Sequence, residues 1–82
     1  MIADDSAFAN IHLTPTERRL WDTLRAEPGR IFARKELATL VMPGTIVLER
    51  TIDVHIRGLR KKLGKGVARI RTVRRGGYCF DP

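Results

Sequence analysis

The sequence predicts a single small α+β domain with three helices, a short strand after the first helix and a C-terminal β-hairpin. Three observations carry this prediction. A segment with helix-capping residues begins at Thr14, and a long amphipathic segment runs from about residue 50 to Leu63. Near the C-terminus, short apolar runs lie on both sides of a glycine-containing turn. The predicted order is therefore helix, strand, helix, helix, hairpin.

The first predicted helix lies in the segment LTPTERRLWDTLRAEPG. Thr14 suits the N-cap, Pro15 suits the first helical position, and Glu17 completes a capping box. Pro28-Gly29 ends the helix. Three apolar residues recur at helical spacing and form its predicted buried stripe: Leu20, Trp21 and Leu24.

The next elements follow closely along the chain. The segment RIFA (Arg30–Ala33) predicts a small strand, and RKELATLV predicts a second helix that ends at MPGT (Met42–Thr45). The third helix is predicted to begin at Glu49 or Arg50 and to end at Leu63. We expect the second helix to bury three apolar side chains: Leu37, Leu40 and Val41.

The two ends of the chain differ in how clearly they are patterned. Alternation from Arg69 to Val73 predicts a strand, RRGG a turn, and YCF the returning strand of a hairpin. Residues 1–12 are expected to form an N-terminal tail or a remnant strand around Phe8–Leu13. Residues 13–82 are expected to form the domain itself.

The charge of the chain is unevenly distributed. The formal net charge is +7, but residues 1–49 hold six basic and seven acidic side chains, net −1. Residues 50–82 hold ten basic and two acidic side chains, net +8. A split this sharp predicts a surface for a polyanion, with nucleic acid as the first candidate and an acidic membrane surface as the second.

Composition and motifs disfavour several other classes of protein. No apolar run approaches the ~20 residues that span a bilayer, and the segment MIADDSAF lacks a signal-peptide pattern, so we expect a cytoplasmic protein with no membrane partner. Cys79 is the only cysteine, which fits a reducing compartment. The sequence has no metal-ligand spacing and no catalytic constellation, so we expect no cofactor and no enzymatic activity. Asp53 is interpreted as an ion-pair partner of Arg57 at i+4.

The third predicted helix, ERTIDVHIRGLRKKL, has two opposite faces. Four apolar residues fall within about 60° of one another on a helical wheel and form a core stripe: Ile52, Ile56, Leu59 and Leu63. Arg50, Arg57 and Lys61 lie opposite, and Val54 lies among them. Because the DNA major groove accepts one helix and offers thymine methyl groups, an exposed valine between basic residues fits a base contact. The alternative is an ordinary exposed apolar residue.

Gly58 is unusual in the middle of this helix, where it costs about 1 kcal/mol relative to alanine. It lies at the edge of the basic face. Two interpretations remain open: the missing side chain allows close approach of the backbone to a ligand, or the site is a surface position that tolerates glycine.

The predicted hairpin RIRTVRRGGYCF carries four arginines around a glycine turn. At the tip, Arg74 and Arg75 suit insertion into a narrow minor groove, and Thr72 can donate to a phosphate. Tyr78 can stack on or bond to the DNA backbone, or it can pack under the hairpin as part of the core.

Four segments in order resemble the winged-helix effector domain of OmpR/PhoB-type bacterial response regulators: LTPTERRLWDTL, GRIFARKEL, ERTIDVHIRGLRKKLG and IRTVRRGGYCF. The resemblance covers Leu13 to Phe80. It implies a winged helix-turn-helix whose third helix enters the major groove of double-stranded DNA and whose hairpin wing reaches the adjacent minor groove. It also implies a head-to-tail dimer on direct repeats, a receiver domain in a longer chain, and contact with RNA polymerase through the loop between the second and third helices.

The resemblance also implies roles for individual residues of the third helix and the wing. Val54 matches the position that meets thymine methyl groups. Positions that hold phosphates or bases are matched by Arg50, Thr51, His55, Arg57 and Arg60, and wing contacts by Thr72, Arg74 and Tyr78. The basic face and the hairpin tip add Lys61 and Arg75 to this set.

The sequence departs from the family pattern at several positions. Gly58 stands where the family commonly has a base-contacting arginine, Ala33 where a serine caps the second helix, and Arg75-Gly76 where the wing turn has Gly-Val. The loop MPGTIVLE has no aromatic residue and no acidic residue before Glu49 at its end, whereas the family's loop typically has both. Only twelve residues precede Leu13, so we expect most of the family's N-terminal sheet to be absent and the back of the first helix, including Trp21, to be less covered than in the family.

The sequence therefore predicts sequence-specific binding of double-stranded DNA in transcriptional regulation. Two alternatives remain open. The winged helix could dock an acidic protein through its basic face, or it could bind nucleic acid nonspecifically, which the glycine at position 58 favours.

Overall fold

The computed structural model describes residues 12–64 and 70–82. Three helices, α1 (Pro15–Ala26), α2 (Arg34–Val41) and α3 (Glu49–Leu63), precede two strands, β1 (Ile70–Val73) and β2 (Gly77–Phe80). The strands pair as an antiparallel hairpin in which Ile70 lies opposite Phe80. The predicted order of helices and hairpin is confirmed. The predictions for residues 1–11 and 65–69 fall outside the described residues.

The capping box predicted at the start of α1 is present. Thr14 Oγ1 accepts a hydrogen bond from the Glu17 amide at 3.1 Å, and Glu17 Oε1 accepts one from the Thr14 amide at 2.9 Å. Glu17 Oε1 also lies 2.6 Å from Lys62 Nζ, so the cap of α1 binds the last turn of α3. Burial favours a raised pKa for Glu17, but the hydrogen bonds from Lys62 and Thr14 outweigh it and lower the pKa.

The core lies between the three helices and the inner side of the hairpin. All seven apolar residues predicted to be buried on α1 and α3 are buried: Leu20, Trp21, Leu24, Ile52, Ile56, Leu59 and Leu63. The prediction for α2 is correct for Leu37 and Val41 and wrong for Leu40, which is 52% exposed. Ala38 takes the inward position instead, because residues 37, 38 and 41 share one side of this short helix.

Trp21 is well covered, contrary to our expectation. Its side chain is 2% exposed, and its ring meets Phe80 edge to face with 5.2 Å between the centroids. The Arg25 guanidinium lies 5.3 Å from the Trp21 ring centroid. The end of β2 therefore covers part of the α1 surface that we expected to be open.

The strand predicted at Arg30–Ala33 is reduced to a single bridging residue. The Phe32 amide donates to the Tyr78 carbonyl at 2.8 Å, and the Tyr78 amide donates to the Phe32 carbonyl at 2.9 Å. A Cβ at Gly77 would lie 1.9 Å from the Phe32 carbonyl oxygen, and Gly77 has a φ of 126°. The bridge therefore requires glycine at the start of β2.

Gly58 lies against α1 and is half-buried. A Cβ at this position would lie 2.7 Å from Glu17 Oε2. The space left by the missing side chain is therefore occupied by the capping carboxylate of α1. This corrects both interpretations of Gly58, because the site is neither open to a ligand on this side nor an unconstrained surface position.

We expect Gly58→Ala to gain little of the ~1 kcal/mol that alanine gives over glycine inside a helix, because the new Cβ must displace the Glu17 carboxylate. In a Glu17→Ala background the same substitution should stabilise the fold by about 1 kcal/mol. Urea unfolding of the four chains measures the coupling between the two positions. Equal gains in both backgrounds would show that Glu17 does not constrain position 58.

Candidate nucleic-acid interface

One face of α3 carries cations that have no polar partner within the described residues. Arg50, Arg57 and Lys61 are exposed on this face, and their charged groups form no hydrogen bond or ion pair there. Val54 lies among them and is 65% exposed. The opposite side of the same helix is fully buried in the core. The amphipathic sequence of α3 thus produces a basic surface with one apolar side chain in it.

Two other candidates, Thr51 and His55, flank this face of α3 and are half-buried. Both side chains can donate hydrogen bonds to an acceptor near the helix. The exposed surface of α3 therefore offers charge, hydrogen-bond donors and one apolar contact within four helical turns.

The turn of the hairpin presents two further cations. The Gly76 amide donates to the Val73 carbonyl at 2.9 Å and closes a four-residue turn with Arg74 and Arg75 at its centre. Both arginines are exposed, and neither has a polar partner in the part of the chain that the structure describes. Arg75 has a φ of 63°, which lies in the left-handed region. Glycine adopts this region readily, and the family pattern has glycine at this position.

The wing turn faces the first turns of α2 and α3. A cavity of about 130 Å³ lies between them, lined by Arg75 on one side and by Lys35 and Glu49 on the other. Ala33 is the N-cap of α2 and makes no side-chain capping bond, as its sequence predicts. Lys35 was not among the predicted site residues. It is exposed and lies in the first turn of α2 beside the cavity.

Asp53 joins α3 to both α2 and the hairpin. Its Oδ1 accepts hydrogen bonds from Arg34 Nε at 2.7 Å and from the Tyr78 hydroxyl at 2.5 Å. The prediction that Asp53 pairs with Arg57 is therefore wrong, because partners from two other elements reach the carboxylate. Burial favours a raised pKa for Asp53, but these two hydrogen bonds outweigh it and lower the pKa.

Tyr78 is part of the core and is not placed to contact DNA. It is 4% exposed, and its hydroxyl donates a hydrogen bond to Asp53 Oδ1. Burial and the Asp53 carboxylate raise the pKa of Tyr78. The prediction of a DNA contact by Tyr78 is corrected, and the alternative that it packs under the hairpin is confirmed.

Arg60 is directed toward the wing. Its Nε and Nη2 atoms donate to the Ile70 carbonyl oxygen at 2.9 Å and 2.5 Å, and Nη2 also donates to Thr72 Oγ1 at 2.7 Å. Thr72 remains exposed, and its hydroxyl hydrogen remains available as a donor. Nine of the predicted site residues are thus at least partly exposed, and none of their side chains donates a hydrogen bond within the described part of the chain: Arg50, Thr51, Val54, His55, Arg57, Lys61, Thr72, Arg74 and Arg75.

Two other kinds of function, metal binding and insertion into a membrane, have little support in residues 12–64 and 70–82. No group of histidine, cysteine and acidic side chains there could hold a metal ion. Within the same ranges, no helix combines the length and the apolar character that crossing a membrane requires.

Three helices packed around one core, a basic outer face on the third helix and an arginine-tipped hairpin define a winged helix-turn-helix protein. The family model described as "Transcriptional regulatory protein, C terminal" matches residues 9–80, and the chain belongs to this family. The phosphate regulon transcriptional regulatory protein PhoB of Rhizobium meliloti is 43% identical over 74 residues, which cover 87% of this chain and 33% of that protein. The transcriptional regulatory protein BaeR of Escherichia coli O6:H1 is 48% identical over 75 residues, covering 87% and 31%. The chain spans about a third of the length of these curated relatives.

Two solved structures share this fold. The DNA-binding domain of the response regulator AdeR, in complex with an intercistronic region, superposes with a TM-score of 0.79 at 35% identity, covering 88% of this chain and 74% of that one. The C-terminal DNA-binding domain of RstA from Klebsiella pneumoniae has a TM-score of 0.73 at 34% identity, covering 88% and 69%. The winged-helix fold and the resemblance to OmpR/PhoB-type effector domains are confirmed.

We expect Asp53→Asn to reduce the loss of stability on acidification. Because the folded state lowers the pKa of Asp53, the stabilisation is complete above the unfolded pKa of ~3.9 and is lost as the pH falls through the folded pKa. The variant should be less stable at pH 7 but should lose less below about pH 4. Thermal unfolding from pH 7 to pH 2.5 measures both effects.

Glu17→Gln serves as the comparison for this experiment, since Glu17 is a second carboxylate whose pKa is lowered in the folded protein. Parallel stability curves for the parent chain and Asp53→Asn would show that the carboxylate does not stabilise the fold through its charge.

Proposed function

We propose that residues 13–82 form a domain that binds double-stranded DNA sequence-specifically, within a transcriptional regulator that acts in the cytoplasm. The observation that carries this proposal is the exposed face of α3, where Arg50, Arg57 and Lys61 surround Val54 without internal polar partners. Cations without internal partners remain available to phosphates, and an apolar side chain between them can reach a base edge. The AdeR complex with an intercistronic region supports the same role for a related fold.

The two DNA-facing elements divide the contacts between the grooves. In the major groove, the α3 cations bind phosphates on the flanks, and Val54 meets a thymine methyl group. Thr51 and His55 donate hydrogen bonds from the sides of the helix. In the adjacent minor groove, the wing tip places its two arginines, Arg74 and Arg75.

Three further partners are proposed from the resemblance to the family. In a longer regulator we expect a receiver domain, head-to-tail pairing on direct repeats, and RNA polymerase at the loop between α2 and α3. Ile46 and Leu48 of this loop are 100% and 67% exposed, which supports a protein contact there. Gly58 makes room for Glu17 within the fold, but it also leaves out the family's base-contacting arginine, so nonspecific binding is the alternative that the following experiment decides.

The proposal is tested by selecting bound sequences from a random duplex pool and measuring affinity for the best site and a scrambled one across salt concentrations. The parent chain should enrich a defined sequence, and log affinity should fall linearly with log salt. Arg57→Ala should weaken both duplexes and flatten the slope by roughly one unit. Arg18→Ala, which removes the same charge from an exposed site on α1, should leave the slope unchanged.

No enrichment, together with equal affinity for the two duplexes, would refute sequence-specific binding. A protein-docking module would give that result with weak affinity throughout. Identical slopes for Arg57→Ala and the parent would refute a phosphate contact by Arg57.

Val54 should discriminate thymine from other bases at one position of the selected site. Val54→Ala should cost ~1 kcal/mol there, at the lower end for a lost base contact because no hydrogen bond is lost, and should barely affect scrambled DNA. Replacing that thymine by uracil removes only the methyl group, so it should cost the parent a similar amount and the variant almost nothing. Equal losses for parent and variant on the uracil duplex would mean that Val54 does not contact that base.

A further inference from the structure

Two side chains of α3 bind the two strands of the hairpin within the described residues. Asp53 accepts the Tyr78 hydroxyl of β2, and Arg60 donates to the Ile70 carbonyl and the Thr72 hydroxyl of β1. These bonds connect the helix that carries Val54 and Arg57 to the strands that carry the wing tip. Asp53 and Arg60 therefore help to fix the position of the wing relative to α3.

Arg60 makes its part of this connection with directional bonds. Two nitrogens of its planar guanidinium, Nε and Nη2, converge on one carbonyl oxygen, and Nη2 reaches the Thr72 hydroxyl as well. The guanidinium carbon lies 5.4 Å from the centroid of the Tyr78 ring, which limits its position on another side. A lysine at this position would keep the charge but could not reproduce this fork of donors.

The acceptors of Arg60 are neutral, so its charge is not cancelled by a carboxylate in these bonds. The charge of Arg60 therefore does not show whether this side chain binds a DNA phosphate or the hairpin. The geometry does separate them, because a guanidinium that turned toward DNA would have to leave both the Ile70 carbonyl and the Thr72 hydroxyl. Half-burial of Arg60, in contrast with exposed Arg57 and Lys61, agrees with the internal bridge.

We infer that Arg60 is a positioning residue that sets the wing relative to α3, in place of the phosphate or base contact implied by the family resemblance. The inference rests on the proposed function, since the consequence of misplacing the wing is a loss of DNA binding. Removing this bridge leaves the Asp53–Tyr78 bond as the remaining side-chain link described between α3 and the hairpin, so the wing-tip arginines should add less to the affinity gained by α3.

The test crosses Arg60→Lys with a wing-tip variant, Arg74→Ala/Arg75→Ala, on the selected duplex. Arg60→Lys should weaken binding while leaving the salt slope unchanged, because the charge is kept. In the Arg60→Lys background, the wing-tip variant should cost at least about threefold less in affinity than it costs the parent. Circular dichroism and thermal unfolding establish that each chain is folded before it is assayed.

The matched control is Arg57→Ala crossed with the same wing-tip variant. Arg57 has no bond to the hairpin, so its loss and that of the wing tip should multiply. Independent losses for Arg60→Lys and the wing tip, like those of the control, would overturn the inference, and so would full parental affinity in Arg60→Lys. Absence of site-specific binding by the parent would instead refute the proposed function.

A second measurement uses the parent chain and does not depend on a variant that folds. The Nε–H signal of Arg60 in nitrogen-15 NMR should be slow to exchange in the free protein and should keep its chemical shift when the duplex is added. The Arg57 signal should shift on complex formation. A shift of the Arg60 signal comparable to that of Arg57 would show that Arg60 leaves the wing for DNA and would overturn the inference.

Discussion

The carboxylate of Asp53 is the point where α2, α3 and the hairpin meet. It accepts hydrogen bonds from Arg34 and from the Tyr78 hydroxyl, and the backbone of Tyr78 pairs in turn with Phe32. Hydrogen bonds to a carboxylate are charge-assisted and directional, so this arrangement holds the Arg34 side chain and the Tyr78 hydroxyl in place. The presentation of the α3 face and the direction of the wing both depend on it.

The excess positive charge of the C-terminal half is divided into two groups of side chains. Lys62 and Arg71 are engaged by carboxylates, at 2.6 Å from Glu17 and 2.7 Å from Asp81, so part of their field is cancelled inside the protein. The cations on the outer face of α3 and at the wing tip have no such partner in the described part of the chain. Among the described residues, the cations without a polar partner therefore lie where α3 and the wing tip face solvent, and there they attract a polyanion most directly.

Local patterns in the sequence predicted the elements and most of the buried residues. The Thr14–Glu17 capping box and the α3 core stripe depend on residues within a few positions of one another, so spacing is sufficient to find them. The partner of Asp53 and the burial of Tyr78 depend on which elements approach in three dimensions, and spacing along the chain carries no record of that. The same holds for Gly58, whose neighbour is forty-one positions away, at Glu17.

Arg60 is an intermediate case. On the helical wheel it lies about 80° from Ile52, between the core stripe and the exposed face, whereas Arg57 lies at about 140°. That angle places Arg60 at the boundary between the buried and exposed sides of α3, but it does not identify the carbonyl and the hydroxyl that accept its hydrogen bonds. The strand expected at RIFA (Arg30–Ala33) shrank to one bridge for a related reason, since its pairing depends on the close approach that Gly77 allows.

The left-handed backbone at Arg75 has a consequence for how this domain could be improved or impaired. A non-glycine residue in that conformation costs roughly 1 kcal/mol, which glycine would recover while deleting a cation from the wing tip. Selection for thermal stability alone would therefore favour glycine at position 75, and selection for affinity to a polyanion would favour arginine. Under the proposed function the two pressures act on position 75 in opposite directions, so arginine there exchanges stability of the turn for positive charge at the wing tip.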